Sequence, residues 1–220
     1  MTDERRPLRI AFFGGSFDPP HLGHMAIANA LIRQFELDEF VFVPAFHAPH
    51  KRSAPTHAFD RYAMLCLATQ NESRMTVSRI EIEMPQKPYS VETLDRLTQM
   101  LPHEEIFFVM GADSWRDIRT WREWEKLFTL TDHIVVTRPG YQIETDHVTN
   151  DVRERINDVR GGEVPVKTDP HALNIYFTDK VDIDLSATEI RRKIKDGDDS
   201  WREDVPESAA KYIIKYQIYS

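Results

Sequence analysis

Apolar positions along this chain come in short runs separated by amphipathic stretches. Leu8 to Phe13, broken only by Arg9, predicts a first buried strand. Met25-Ala-Ile-Ala-Asn-Ala-Leu-Ile predicts the helix after it. Glu39 to Pro44 predicts a second strand, and Phe59 to Thr69 a helix with Phe59, Tyr62, Ala63, Leu65 and Cys66 on its apolar side. Met75 to Ile82 is a further strand candidate. Ser90 is placed to cap a helix carrying Val91, Leu94, Leu97 and Leu101. Glu105 to Met110 is the strongest buried strand, ending in Gly111-Ala112-Asp113-Ser114. A short helix over Trp121 to Leu127 follows, then a strand over His133 to Thr137 closed by Arg138-Pro139-Gly140.

This alternation predicts an α/β fold built on a doubly wound parallel sheet. In such sheets ligands sit at the carboxyl ends of the strands. Four loops fall there: the one after Phe13, Pro44 to Arg52, Gly111 to Asp113, and Arg138 to Gly140. Gln142 to Leu173 is polar and hard to pattern. Asp151 to Val159 suggests a polar helix, and Gly161 to Pro170 a surface loop. Val181 to Leu185 alternates as a short strand. Ser186 and Glu189 have the spacing of a capping box for a helix ending near Gly197, and Pro206 to Tyr219 predicts a final helix. We expect residues 1–185 to form the core and 186–220 a helical segment packed on the same domain.

The first loop, Gly14-Gly-Ser-Phe-Asp-Pro-Pro-His-Leu-Gly-His24, carries the chemistry. Glycines let a backbone approach phosphate oxygens closely, and helix-start N–H groups face an anion. His21 and His24 share one helical face and can donate hydrogen bonds to charge that builds there. The loop has neither the G-x-G-x-x-G of dinucleotide folds nor the Gly-Lys-Ser/Thr of a P-loop. A net charge of −8 disfavours a nucleic-acid binder but allows a small anionic ligand in a local basic pocket. His47, His50, Lys51 and Arg52 form such a basic loop. The lone Cys66 lies in an apolar run and suits packing. There is no signal-peptide pattern and no run of membrane-spanning length, so a soluble cytoplasmic protein without a membrane partner is expected. Trp115, Trp121 and Trp124 are too close together all to be ligands. Asp113 suits either a helix cap or a nucleotide contact.

The first loop resembles the H-x-G-H signature of a nucleotidyltransferase superfamily. Ser186-Ala-Thr-Glu-Ile-Arg191 resembles that superfamily's S-x-T-x-x-R motif. Pro49-His50-Lys51, Pro88-Tyr89-Ser90 with Thr93-Leu94, Gly111 to Ser114, Trp121 and Val136 to Gly140 resemble bacterial nicotinate-nucleotide adenylyltransferases, and the pieces run nearly end to end. The resemblance implies a Rossmann-like nucleotidyltransferase fold and transfer of the adenylyl group of ATP to nicotinic acid mononucleotide, giving deamido-NAD and pyrophosphate. It implies catalytic roles for His21, His24 and Arg191. It assigns Gly14, Gly15, Ser16, Phe17, Gly111, Asp113, Ser186 and Thr188 to ATP, and Lys51, Tyr89, Ser90, Trp121, Arg122 and Arg138 to the acceptor. Mg²⁺ would arrive with ATP, held by phosphates and water, with Asp18 assisting at most through water. Ala45-Phe46 departs from the polar, Asn-rich stretch common in the family. Another adenylyl- or cytidylyltransferase, with nicotinamide mononucleotide or phosphopantetheine as acceptor, and a catalytically silent nucleotide sensor are the alternatives. Oligomeric state has no signature in the sequence.

Overall fold

The computed structural model describes residues 5–46, 56–84, 86, 88–137, 142–169, 171–181 and 185–219. The elements run β1 (Arg9–Gly15), α1 (Leu22–Gln34), β2 (Glu39–Pro44), α2 (Ala58–Thr69), β3 (Met75–Val77), α3 (Ser90–Met100) and β4 (Glu105–Gly111). Then come α4 (Ala112–Arg116), a 3-10 turn (Ile118–Thr120), α5 (Trp124–Leu127), β5 (Asp132–Val136), α6 (Asn150–Arg153), β6 (Ile156–Asp158) and β7 (Ile175–Thr178). The chain closes with α7 (Ala187–Asp196), a second 3-10 turn (Asp199–Glu203) and α8 (Glu207–Tyr216). The sheet has seven strands in the order β3-β2-β1-β4-β5-β7-β6, and every pair is parallel.

The strands are nearly all apolar because the sheet is buried on both faces. Successive residues of a strand point to opposite faces. Ile10 and Phe12 of β1 therefore join Val41, Val43, Ile106 and Phe108 on one side, under Leu94 and Leu97 of α3 and Trp115 of α4. Ala11 and Phe13 join Phe40, Phe42, Phe107 and Val109 on the other, under Leu31 and Ile32 of α1 and Leu65 of α2. A third cluster ties α7 and α8 to α2: Met64 packs with Ile190, Trp201, Val205, Ala209 and Ile213. Strand order runs outward from β1 through β2 to β3, and from β4 through β5. The crevice between the carboxyl ends of β1 and β4 is thus the topological switch point, where ligands sit in doubly wound sheets.

The structure revises several element boundaries. β3 stops at Val77 instead of running to Ile82. The Asp151–Val159 stretch is not one helix: α6 has four residues, and Ile156–Asp158 pairs with β7 as the sheet's edge. An edge strand is held by backbone bonds and tolerates the polar Asn157 and Asp158, which hides it from a hydrophobic pattern. β7 was not anticipated; its four residues make too short a run, although all are buried. Trp121 does not start a helix. It ends the 3-10 turn, Glu123 takes a left-handed φ of 49°, and α5 begins at Trp124. Tyr89, not Ser90, is the cap of α3, and the Glu92 carboxylate accepts from the Tyr89 N–H at 3.0 Å. Ser186 does cap α7 by position, but its side chain makes no capping bond, and Glu189 pairs with Arg192 instead. The last helix ends at Tyr216, not Tyr219. Of the Val181–Leu185 strand, 182–184 lie outside the described residues and the two flanking residues are irregular.

Candidate active site

The loop after β1 is built around the buried ring of Phe17. Phe17 adopts a left-handed φ of 48°. Its ring is buried, edge-on to Phe42 at 5.5 Å and to His24 at 4.9 Å between centroids. A Cβ on Gly15 would fall 2.9 Å from that ring, so Gly15 is required by close approach. Phe17 can thus face a ligand only through its backbone. Gly14 is the penultimate residue of β1, and Gly15 stands beside Pro44 in the β2 register.

His21 caps α1, and His24 occupies its third position. The His24 backbone N–H donates to the His21 carbonyl at 2.9 Å, and the His21 N–H donates to His24 Nδ1 at 3.1 Å. The imidazoles stack 3.6 Å apart at 25°. Because His24 Nδ1 accepts, its ring proton sits on Nε2, the edge that can donate outward. Burial lowers the His21 pKa to about 4, against a smaller upward pull from Asp204, so this ring is neutral near pH 7. His21 Nδ1 is buried without a hydrogen-bond partner among the described residues. A Cβ on Gly23 would lie 3.0 Å from that nitrogen.

The C-terminal motif reaches this loop directly. Arg191 donates from Nη1 to the Asp18 carbonyl and from Nη2 to Thr188 Oγ1 at 3.3 Å, with the Asp18 carboxylate 3.8 Å away. Ser186 and Thr188 stand at the start of α7 beside it. The Leu22 N–H of α1 donates to the Asp204 carbonyl at 2.9 Å, a second tie between the two ends of the chain. Asp18 is 4% exposed. One of its oxygens accepts from the Tyr219 hydroxyl at 2.7 Å; the other faces the Thr56 N–H at 3.4 Å and Arg191. Both oxygens of this carboxylate thus face protein partners. No group of three or more His, Cys, Asp or Glu able to hold a metal occurs among the described residues.

Two further residues were missed by the sequence reading. Arg61 of α2 is 1% exposed and donates to four carbonyls: Ser16 at 2.6 Å, Ala45 at 2.5 Å, Phe46 at 3.3 Å and Thr56 at 2.9 Å. It fastens the β1 loop to the β2 loop, and burial lowers its pKa despite the opposing charge of Asp18. Nearby, burial raises the Glu81 pKa to about 7, against bonds from the Thr93 hydroxyl and the Phe46 N–H and the charge of Arg61. The only sequence signal for Arg61 is a charged residue within the apolar face of a helix.

The acceptor candidates gather at the start of α3. The Arg122 guanidinium lies 4.8 Å over the Tyr89 ring and 3.6 Å from the Glu92 carboxylate. Ser90 is the first residue of α3. Trp121 is half-buried, edge-on to Phe108 at 6.5 Å, while Trp115 is buried and donates to the Glu144 carbonyl at 2.8 Å as a core residue. Gly111 caps α4, and a Cβ there would meet nothing within 4 Å, so it borders open space. Asp113 is therefore not the cap; its exposed side chain pairs with Arg116 at 3.4 Å. His47, His50, Lys51, Arg52 and Arg138 lie outside the described residues. A groove of about 1730 Å³ lies at the amino ends of β1, β4 and β5, beside Arg9, Glu105, Asp132 and Lys167. His21 and His24 do not line it, and these four charges pair with one another.

Comparison with known proteins places this geometry. The profile of the cytidylyltransferase-like family matches residues 12–193. A Thermus thermophilus protein named "Probable nicotinate-nucleotide adenylyltransferase" is 39% identical over 213 residues, 96% of this chain and 100% of its own. One of the same name from Desulfatibacillum aliphaticivorans is 36% identical over 219 residues, with the same coverage. The solved structure of Plasmodium falciparum nicotinic acid mononucleotide adenylyltransferase complexed with NaAD superposes with a TM-score of 0.72 at 19% identity, covering 96% of this chain and 97% of that one, a likeness of fold. The two histidines stacked at the switch point, on a loop whose Asp18 is held by the C-terminal arginine, stand in a chain that belongs to the cytidylyltransferase-like family and, within it, to the nicotinate-nucleotide adenylyltransferases.

Proposed function

We propose that this chain transfers the adenylyl group of ATP to nicotinic acid mononucleotide, giving deamido-NAD and pyrophosphate. The observation that carries the reading is the Arg191 clamp, which joins the S-x-T-x-x-R motif to the H-x-G-H loop at one place. A phosphate oxygen of the acceptor attacks the α-phosphorus of ATP. The bond to the leaving pyrophosphate breaks, and no protein nucleophile is needed. Catalysis of this kind runs on positioning and charge stabilisation. His24, with its proton on Nε2, and neutral His21 donate hydrogen bonds to the transferring group. Arg191, Ser186 and Thr188 hold the β- and γ-phosphates, where the fixed planar fork of arginine suits phosphate oxygens. Gly14, Gly15, Ser16 and the Phe17 backbone line the phosphates, and Gly111 and Asp113 face the nucleoside. Mg²⁺ enters with ATP as part of the substrate, held by phosphate oxygens and water.

For the acceptor, Trp121 supplies an aromatic face for the pyridine ring, and the backbone around Ser90 and Arg122 receives the nicotinate carboxylate. The test is pyrophosphate release with MgATP and each acceptor in turn. Turnover with nicotinic acid mononucleotide is expected. Turnover with phosphopantetheine alone, or ATP binding without turnover on any acceptor, overturns the reading.

A further inference from the structure

We propose that Tyr219 is a positioning residue for Arg191, acting through Asp18 from the end of the chain; the inference rests on the reading of Arg191 as the clamp on the ATP phosphates. Three independent features carry it. The first is the path of the tail. α8 stops at Tyr216, Gln217 adopts a left-handed φ of 52°, and the Ile218 N–H donates back to the Ile213 carbonyl at 3.0 Å. This reversal turns the chain away from the α8 axis and toward the β1 loop. Tyr219 itself holds a φ of 73°, a conformation that a bulky residue keeps only when its surroundings hold it there.

The second feature is the contact made. The Tyr219 hydroxyl donates to Asp18 Oδ1 at 2.7 Å, across 201 positions of sequence. Asp18 is nearly buried, so no bulk water replaces that donor if it is lost. Burial and the neighbouring Asp18 charge raise the Tyr219 pKa, which keeps the phenol a proton donor. The third feature is what Asp18 does next. Its carbonyl accepts from Arg191 Nη1, and its other carboxylate oxygen lies 3.8 Å from the same nitrogen. A single residue thus receives the tail on one side and the guanidinium on the other. Loss of the phenol frees Asp18 Oδ1 to draw Arg191 inward, away from the phosphates and into a tighter ion pair.

The test is Tyr219→Phe, alone and combined with Arg191→Lys, measured by kcat, KM, thermal melting and binding of α,β-methylene-ATP and of adenosine monophosphate. The single variant is expected to lower kcat about tenfold and to weaken the methylene analogue about tenfold, as for a lost hydrogen bond to a charged group. KM for the acceptor and affinity for adenosine monophosphate, which has no β- or γ-phosphate, should stay at the wild-type values. Added to Arg191→Lys, the Tyr219 change should cost little more, because coupled residues are not additive. Wild-type kinetics in Tyr219→Phe overturn the proposal. So do independent, multiplicative losses in the double variant, or equal weakening of both nucleotides in step with a lower melting temperature. A wild-type chain that binds the analogue but releases no pyrophosphate with nicotinic acid mononucleotide overturns the proposed function instead, and the two nucleotide affinities still decide the role of Tyr219.

Discussion

Gly23→Ala sets helix stability against the placement of a histidine. Gly23 is the second residue of α1, where alanine should stabilise the helix by about 0.5–1 kcal/mol. The new Cβ, however, would sit 3.0 Å from His21 Nδ1 and 3.1 Å from its Cε1. The His21 ring has to give by a few tenths of an ångström. The ring is also stacked on His24 at 3.6 Å, so a shift toward His24 compresses the stack. The remaining route is rotation off its rotamer, at about 0.5–1.5 kcal/mol. The two contributions nearly cancel, and the melting temperature should move by no more than about 4 °C. The rate should not be spared. A misplaced transition-state donor costs about ten- to a hundredfold in kcat. Pyrophosphate release and a thermal melt on the same preparation make the test. Wild-type kcat would refute the claim that Gly23 exists to make room for His21, and a large drop in melting temperature would show that the loss comes from the fold.

Other outcomes follow from the same geometry. His21→Ala and His24→Ala should each reduce kcat by about a hundredfold or more, and near-wild-type rates in steady-state assays would remove their assigned role. Arg61→Met leaves four part-buried carbonyls without their donor and should destabilise by about 2–3 kcal/mol in chemical denaturation; an unchanged midpoint would mean that water replaces the guanidinium. Acid should destabilise the fold. Burial lowers His21 to about 4 and His133 to about 3 from an unfolded value of 6.5, so the unfolded chain binds more protons in that window and stability falls as pH drops below 6.5. Glu81, raised to about 7, works in the opposite sense between 7 and 4.5. In denaturation across that range, His133→Phe, which packs between Phe108 and Phe128, should flatten the acid limb; an unchanged slope would place the acid sensitivity elsewhere.

What the sequence made legible divides along physical lines. β1, β2, β4 and β5 are buried on both faces, so each is a dense apolar run and was found within two residues of its ends. β6 and β7 were missed because one is a polar edge strand and the other has four residues, and neither carries a period long enough to detect. The histidines stood out as candidates because their residue type and spacing are tied to phosphate chemistry, and Arg191 because Ser186–Arg191 resembles a family motif. Arg61 and Glu81 were not, because their roles depend on carbonyls and hydroxyls that only the fold brings near them. For Phe17 the sequence does not separate backbone from side chain. It stands inside the phosphate loop by sequence, yet its side chain turns into the core. Asp18, expected to assist a metal at most through water, makes contacts to Tyr219 and Arg191 that no pattern in the sequence shows.

The central claim is direct transfer between two bound nucleotides in a site without a protein nucleophile. A single-turnover reaction with ATP radiolabelled at its α-phosphorus and nicotinic acid mononucleotide tests it most directly. The account predicts that the label passes into deamido-NAD in one step, in equal amount to the pyrophosphate released, with none retained on the protein after denaturation. Label bound covalently to the chain, or pyrophosphate released without labelled dinucleotide, would contradict it.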